Sequence, residues 1–171
     1  REGSRRPRPV CIRDSVIGAG VVGSSLALFL AKEGMDVCLI DKGVPEIKGN
    51  LFDGRTAALN LASEKILEKL GIKSSIQKYL TPFKGIYVWD SEGTSSLDFS
   101  SDEIGQLKLG DVVPNNAILS SIFLQLPNQQ NHRYLSGNTL KTLDSQEESI
   151  KVCTEEGENI SCKLVIGADG G

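Results

Sequence analysis

The chain has 171 residues, the size of one domain with room for part of a second. Apolar residues make up 39% and glycine adds 18 more positions, a composition that supports a packed core and excludes a disordered chain. The 19 basic residues are outnumbered by 22 acidic ones, for a net charge of -3, so there is no overall basic field for a phosphate backbone and nucleic-acid binding is disfavoured.

The chain opens with Arg1, Arg5, Arg6, Arg8 and Arg13 around Pro7 and Pro9. Residues 1–11 read as a disordered arm, because such a segment buries too little apolar surface to order itself. Its basic, acid-poor character fits the remnant of a mitochondrial targeting peptide, and a ragged fragment end explains it as well.

From Ile12 to Ile17 a strand is expected, although Ser15 interrupts the apolar run and could weaken or shift it. A glycine turn from Gly18 to Gly23, a helix to Glu33 closed by Gly34, and a strand from Val37 to Ile40 complete a βαβ unit of about 30 residues. The stretch Val16 to Ala31 is shorter than the ~20 residues that cross a membrane and is broken by glycines and serines. Ala62, Ile66, Leu67 and Leu70 recur at helical spacing, with Ser63 near the start and Gly71 placed to end the helix.

Ile86 to Trp89 and Ser95 to Phe99 read as a hairpin across Ser91, Glu92 and Gly93, the start of a separate antiparallel sheet. Pro114 stands where a helix can start, and Ile118, Leu119, Ile122, Phe123 and Leu126 form its apolar stripe before Pro127. A polar loop of Asn, Gln and His follows. Strands are then expected at Thr139 to Leu143, Ile150 to Thr154 and Ile160 to Ile166.

The residues that carry chemistry begin with Gly18-Ala19-Gly20-Val21-Val22-Gly23, a GxGxxG that follows a strand and opens a helix. Gly18 permits the tight turn, Gly20 lets a pyrophosphate approach the backbone, and Gly23 lets the helix pack on the strand. The helix N-terminus offers amides to the anion. Asp41, 23 positions after Gly18, ends the second strand where a carboxylate accepts from an adenosine ribose hydroxyl. An acid there argues against a 2′-phosphate, so FAD or NAD fits better than NADP. The plain alternative is that Asp41 caps a turn with Lys42 and Gly43.

Near the C-terminus, Asp169 and Gly170 follow the apolar strand Leu164 to Ile166. Alone, that carboxylate is as readily a turn former. Arg55 is by itself a solvated loop charge. His132 has no second histidine or nucleophile to pair with and is read as a surface loop residue, and Trp89 as a sheet-packing residue. Asp102 and Glu103 are adjacent acids on a polar loop, read as solvated. Cys11, Cys38, Cys153 and Cys162 lack metal-site spacing, so no metal is expected.

Taken together, these motifs resemble the FAD-dependent aromatic hydroxylases of the para-hydroxybenzoate hydroxylase class, among them the ubiquinone-biosynthesis hydroxylases. Beyond the glycines, Asp53 to Ser63 followed by Leu67 and Leu70-Gly71 is similar to the segment in which that group places an Arg beside the flavin. Tyr87-Val88-Trp89-Asp90 with Asp98-Phe99 is similar to its hairpin. Asn116 and Leu119 match an Asn-x-x-[Leu/Ile] signature, with Asn115 replacing the usual acid and Pro114 the usual apolar residue. Leu164 to Gly170 is similar to its Asp-Gly fingerprint.

The resemblance implies an α/β fold: a Rossmann-like FAD-binding domain over 12–171, incomplete, with 83–113 starting an antiparallel substrate-domain sheet. It implies Gly18, Ala19, Gly20, Val22, Gly23, Asp41, Lys42, Arg55, Asn116, Asp169 and Gly170 as cofactor-binding residues. It implies FAD as cofactor, NAD(P)H as reductant, O2 as oxidant and an aromatic ring or quinone precursor as small-molecule substrate. It also implies peripheral membrane or biosynthetic-complex association, in the bacterial cytoplasm or on the matrix side of the mitochondrial inner membrane.

The family's later Gly-Asp flavin motif is not in this sequence, so the chain alone is expected not to sustain hydroxylation. Readings from other classes are a non-catalytic dinucleotide-binding fragment and an NAD-dependent dehydrogenase, for which His132 is a poor acid/base candidate.

Overall fold

The computed structural model describes residues 10–11, 14–43 and 55–170. In chain order the elements are β1 (Val10–Cys11), β2 (Asp14–Ile17), α1 (Val21–Lys32), β3 (Val37–Asp41), β4 (Thr56–Asn60), α2 (Leu61–Lys69) and α3 (Lys73–Ile76). There follow β5 (Thr81–Phe83), β6 (Gly85–Trp89), β7 (Ser96–Ser100), β8 (Gly110–Pro114) and α4 (Asn115–Gln125). Last come β9 (His132–Ser136), β10 (Leu140–Ser145), β11 (Ile150–Thr154), β12 (Asn159–Cys162) and β13 (Leu164–Gly167). The chain divides into two compact units, residues 1–47 with 122–171, and residues 48–121.

The first unit is built on a parallel sheet in the order β13-β2-β3-β9. Its central strands are buried along their length, as strands covered on both faces must be. One face sends Ile17, Cys38, Ile40 and Leu135 into a cluster with Val152, Ile160 and Cys162 of the antiparallel strands β10 to β12. On the other face Val16, Val37 and Leu39 are buried, as are Ala27, Leu28 and Ala31 of α1, which packs on β2 and β3. The result is three layers, helix over parallel sheet over antiparallel sheet. Asn131 braces it, donating to the carbonyls of Ala31 (3.0 Å) and Met35 (2.6 Å).

Several sequence expectations are corrected here. Ser15 does not interrupt β2: its small side chain is fully buried in register with Cys38 and Val165. The strand is described from Asp14, and Ile12 and Arg13 lie outside the described residues. Val10–Cys11, placed in a disordered arm, pair in parallel with Ile160 and Ser161 of β12, whereas residues 1–9 lie outside the described residues.

The polar stretch around His132 is not a loop but strand β9, whose edge position tolerates polar residues because Arg133 pairs with Glu158 at 2.9 Å. The strand expected from Ile160 to Ile166 is two. The chain leaves the antiparallel sheet after Cys162 and enters the parallel one at Leu164, with exposed Lys163 at the switch.

The second unit holds an antiparallel sheet in the order β4-β8-β5 and a two-stranded sheet β6-β7. Helix α2 starts where the sequence indicates, with the Asn60 side chain accepting from the Ser63 amide at 2.8 Å, and Leu67, Leu70, Ile72 and Ile76 fill its core. Glu64 and Asp111 are buried carboxylates bridged by the Lys108 ammonium, which is 2.9 Å from Glu64 and also bonded to Asp111, while Lys73 lies 3.5 Å from Glu64.

In the hairpin, register puts Ile86, Val88, Leu97 and Phe99 on one side and Tyr87, Trp89 and Asp98 on the other. Trp89 does not pack into a sheet interior. It is exposed and stacks on Tyr87 with ring centroids 5.7 Å apart. Among the described residues, no helix is long and apolar enough to cross a membrane.

Candidate functional site

The glycine turn leaves β2 at the C-terminal edge of the parallel sheet, the edge where open α/β sheets receive ligands. Three strand ends are tied together there. The Gly18 amide donates to the Ile40 carbonyl at 2.8 Å, and the Ala168 amide donates to the Ile17 carbonyl at 2.7 Å. Gly18 has φ +102°, and a Cβ added to it would lie 2.5 Å from the Ala168 carbonyl oxygen and 2.6 Å from the Asp169 nitrogen. The GxGxxG turn and the Asp169-Gly170 turn, 150 residues apart in sequence, are therefore side by side.

Gly20 contrasts with its neighbours. It is exposed, it N-caps α1 without a side-chain cap bond, and a Cβ there would meet nothing within 4 Å. The first turn of α1 carries no acidic residue, and a helix start leaves its first amides without intrahelical partners. Gly23 is buried, and a Cβ on it would overlap the Gly18 carbonyl, which fixes the helix start against the turn. The Ser24 hydroxyl reinforces this by donating to the Ala19 carbonyl at 2.9 Å. Val22 is exposed.

Asp41 ends β3 beside this turn. One carboxylate oxygen accepts from the Ala19 amide at 2.7 Å and the other from the Gly43 amide at 2.6 Å. The turn-capping role and the proximity to the glycine turn therefore coexist in one residue. A carboxylate has about four acceptor positions, so two backbone donors leave capacity for a ribose diol. Lys42 is exposed next to it. The Asn138 amide donates to the Asp41 carbonyl at 2.9 Å, which brings the end of β9 to the same edge.

Asp169 and Gly170 are exposed on the other side of the turn. Asp169 rims an apolar groove of about 340 Å³ formed by Ile17, Leu140, Leu143, Val165 and Gly167, among others.

Arg55 and Asn116 belong to the second unit. Arg55 is exposed and its carbonyl accepts from the Asn115 amide at 3.0 Å, while Asn116 is half-buried in the first turn of α4. Asp53 and Gly54 of the same motif lie outside the described residues. His132 is half-buried on β9 with its Nδ1 2.6 Å from the Gln129 carbonyl oxygen. Asp102 and Glu103 are exposed, as expected of solvated acids.

Sequence reasoning missed Tyr134, because its strand was read as a loop. Burial pushes its hydroxyl up to about 12, and the nearby Asp41 carboxylate pushes it the same way. Cys38, in the core beneath the sheet, is likewise raised to about 12 by burial.

The geometry suits the diphosphate of a dinucleotide: an open backbone approach at Gly20, an uncapped helix start, and a carboxylate beside the turn. Comparison with known proteins agrees. Among curated relatives, a ubiquinone hydroxylase of Rhodospirillum rubrum is 28% identical, with 91% of this chain aligned to 36% of its length. The 3-demethoxyubiquinol 3-hydroxylase of Escherichia coli is 29% identical, with 91% of this chain aligned to 40% of its length. The chain thus spans well under half the length of these relatives.

The solved p-nitrophenol 4-monooxygenase of Pseudomonas putida shares the fold with a TM-score of 0.71 at 18% identity, covering 94% of this chain and 41% of that one. The flavin-dependent monooxygenase PieE, solved with FAD and substrate, gives 0.72 at 17% identity, covering 95% of this chain and 31% of that one. Over residues 12–171 the sequence matches the family described as the FAD binding domain, and the chain belongs to that family.

Proposed function

We propose that this chain forms the adenosine- and pyrophosphate-binding part of the FAD site of a flavin-dependent monooxygenase. The parent protein would hydroxylate an aromatic ring, in the quinone-precursor class named for the curated relatives. The observation that carries the reading is the pairing of an open Gly20 at an uncapped helix start with Asp41 bonded to the Ala19 amide. It combines an anion cradle with a ribose acceptor on one sheet edge.

In this reading the amides at the start of α1 receive the pyrophosphate, Gly18 and Gly23 keep the turn closed against Ala168, and Asp41 accepts from the ribose hydroxyls. Val22, Lys42, Asp169 and Gly170 rim the same edge. When bound, the flavin supplies the redox chemistry, with NAD(P)H as electron source and O2 as oxygen source. The residues described here bind and orient. A quinone-precursor substrate puts the parent protein's work at a membrane surface, on the cytoplasmic side in a bacterium or the matrix side in a mitochondrion.

Titration of the purified chain with FAD, followed by protein fluorescence and by flavin retention after desalting, tests the reading. Binding that is lost in Gly20→Val supports it. A folded chain that binds NAD but not FAD, or binds neither, overturns it.

A further inference from the structure

The loop after β9 ties the end of β3 to the antiparallel layer through one side chain. Asp41 and Ser136 stand opposite each other where the parallel strands β3 and β9 end. Just beyond, the Asn138 amide donates to the Asp41 carbonyl at 2.9 Å and the Gly137 amide to the Gly43 carbonyl at 3.2 Å. The loop therefore fixes the peptides that follow Asp41 and Gly43, whereas the Asp41 carboxylate itself is held by the Ala19 and Gly43 amides.

The Asn138 side chain faces two ways. Its nitrogen donates to the Ser136 carbonyl at 3.2 Å, within its own loop, and its oxygen accepts from the Thr154 hydroxyl of β11 at 3.0 Å. Thr154 is 3% exposed, and its hydroxyl oxygen accepts in turn from the Glu158 amide at 3.1 Å. That acceptance leaves the hydroxyl proton for Asn138, so the direction of each bond is set, and turning the Asn138 amide over would put its oxygen against the Ser136 carbonyl. The series closes on β9, where Arg133 pairs with the Glu158 carboxylate at 2.9 Å. An asparagine that served its own turn alone would need only the bond to Ser136. The bond to Thr154 spans 16 positions and joins the loop to a buried residue of the other layer.

We infer that Asn138, anchored by the Thr154 hydroxyl, is a positioning residue for Asp41. The pair holds the Asn138 amide against the Asp41 carbonyl and so keeps the carboxylate in the orientation that accepts from a ribose. The inference rests on the nucleotide reading above for its effect on binding, but the coupling of Asn138 to Asp41 does not. Held only by the Ala19 and Gly43 amides, the carboxylate would move with the glycine turn. The Thr154 anchor refers it instead to the antiparallel layer, which packs on the parallel sheet through Val152, Ile160 and Cys162. Support of this kind sharpens the geometry of a binding group without touching the ligand.

The test compares ADP with 2′-deoxy-ADP, which differ only in the ribose 2′-hydroxyl that an acid at this position accepts from. The parent chain is expected to prefer ADP about 10-fold or more, the worth of a hydrogen bond to a charged group. In Thr154→Val the preference is expected to shrink about 5-fold, the worth of one net hydrogen bond, with 2′-deoxy-ADP binding little changed. Thr154→Ser keeps the hydroxyl and is expected to keep the preference. Asn138→Ala removes the same bond from the half-buried partner and is expected to repeat the Thr154→Val result, which covers the case of a Thr154→Val chain that does not fold. In an Asp41→Ala background neither change is expected to alter the ratio, because the group they act through is gone. In the ligand-free chain the Ala19 amide resonance reports the Asp41 carboxylate to which it donates, and it is expected to shift in Thr154→Val and in Asn138→Ala.

Equal weakening of both nucleotides with the ratio unchanged assigns the pair to folding alone and overturns the inference, as does an unmoved Ala19 resonance. A folded parent chain that binds neither nucleotide, or both equally, while the Ala19 resonance still shifts in the variants removes the ribose reading of Asp41 and leaves its coupling to Asn138 standing.

Discussion

Gly18 and Ala168 are pressed together so closely that the first has no room for a side chain: a Cβ on Gly18 would lie 2.5 Å from the Ala168 carbonyl oxygen. The φ of +102° at Gly18 independently disfavours any L side chain. Gly18→Ala therefore combines backbone strain with a clash that only movement of the Asp169 turn relieves. It is expected to cost roughly 2–4 kcal/mol of stability. Gly20→Ala meets nothing within 4 Å at an ordinary φ of -68°. It should melt within a few degrees of the parent, yet weaken FAD binding about 10-fold or more by standing where the pyrophosphate approaches. Thermal melts and FAD titration of the two variants separate a fold glycine from a ligand glycine. Equal melting temperatures for both would sink the distinction.

The same two glycines show what the sequence made legible. A strand, a glycine turn and a helix form a local pattern set by steric rules, and so β2, α1 and β3 could be located from the residues alone. What could not be read was pairing. Nothing in His132-Arg133-Tyr134-Leu135-Ser136 looks like a strand of a parallel sheet, because the group that answers its charge, Glu158 for Arg133, lies 25 positions away in sequence. The break at Lys163 was invisible for the same reason. An apolar run from Ile160 to Ile166 carries no mark of which sheet each half joins. Tyr134 was missed with its strand, and the contact that brings the Asp169 turn against Gly18 through Ala168 has no mark in the local sequence.

Lys108 holds together two buried carboxylates in the second unit, Glu64 on α2 and Asp111 on β8. Lys108→Met removes the shared cation and leaves Asp111 without it, while Glu64 keeps only Lys73 at 3.5 Å. Stranding buried charge is costly, and a loss of about 3 kcal/mol is expected in urea unfolding. Replacing all three partners, as Glu64→Leu, Lys108→Met and Asp111→Leu together, should recover most of that loss, because the desolvation of the carboxylates disappears with them. A triple variant no more stable than Lys108→Met would show that the cluster acts through specific hydrogen bonds rather than charge balance.

Stability should fall on the alkaline side for a calculable reason. Burial pushes the Tyr134 hydroxyl up to about 12 from its ordinary 10.0. For Lys108 burial pulls the ammonium down, but its hydrogen bonds to Asp111 and Glu64 and their charges outweigh that, and the group ends above its ordinary 10.5. Both groups hold their protons more tightly folded than unfolded. The stability they contribute is complete below the unfolded values and is lost as pH rises through the folded ones. Urea unfolding compared at about pH 9 and about pH 11 should therefore show a decline, shallower in Lys108→Met and in Tyr134→Phe. A decline of unchanged slope in both variants would place its origin elsewhere.

The cysteines offer a last contrast within one unit. Cys38 is fully buried in the layer between the two sheets and its thiol is raised to about 12, first by burial, with the Arg133 cation opposing and Cys162 and Glu158 adding to it. Cys162 is 2% exposed in the same cluster. Cys153 is half-buried on β11, its thiol 3.1 Å from the Asn159 side-chain oxygen. Alkylation proceeds through the thiolate and needs access, so iodoacetamide on the folded chain at neutral pH should modify Cys153 and spare Cys38 and Cys162 until the chain is unfolded in urea. Peptide mapping by mass spectrometry reads the order directly. Labelling of Cys38 as fast as Cys153 in the native chain would mean that the antiparallel layer opens from the parallel sheet on which the proposed nucleotide site is built.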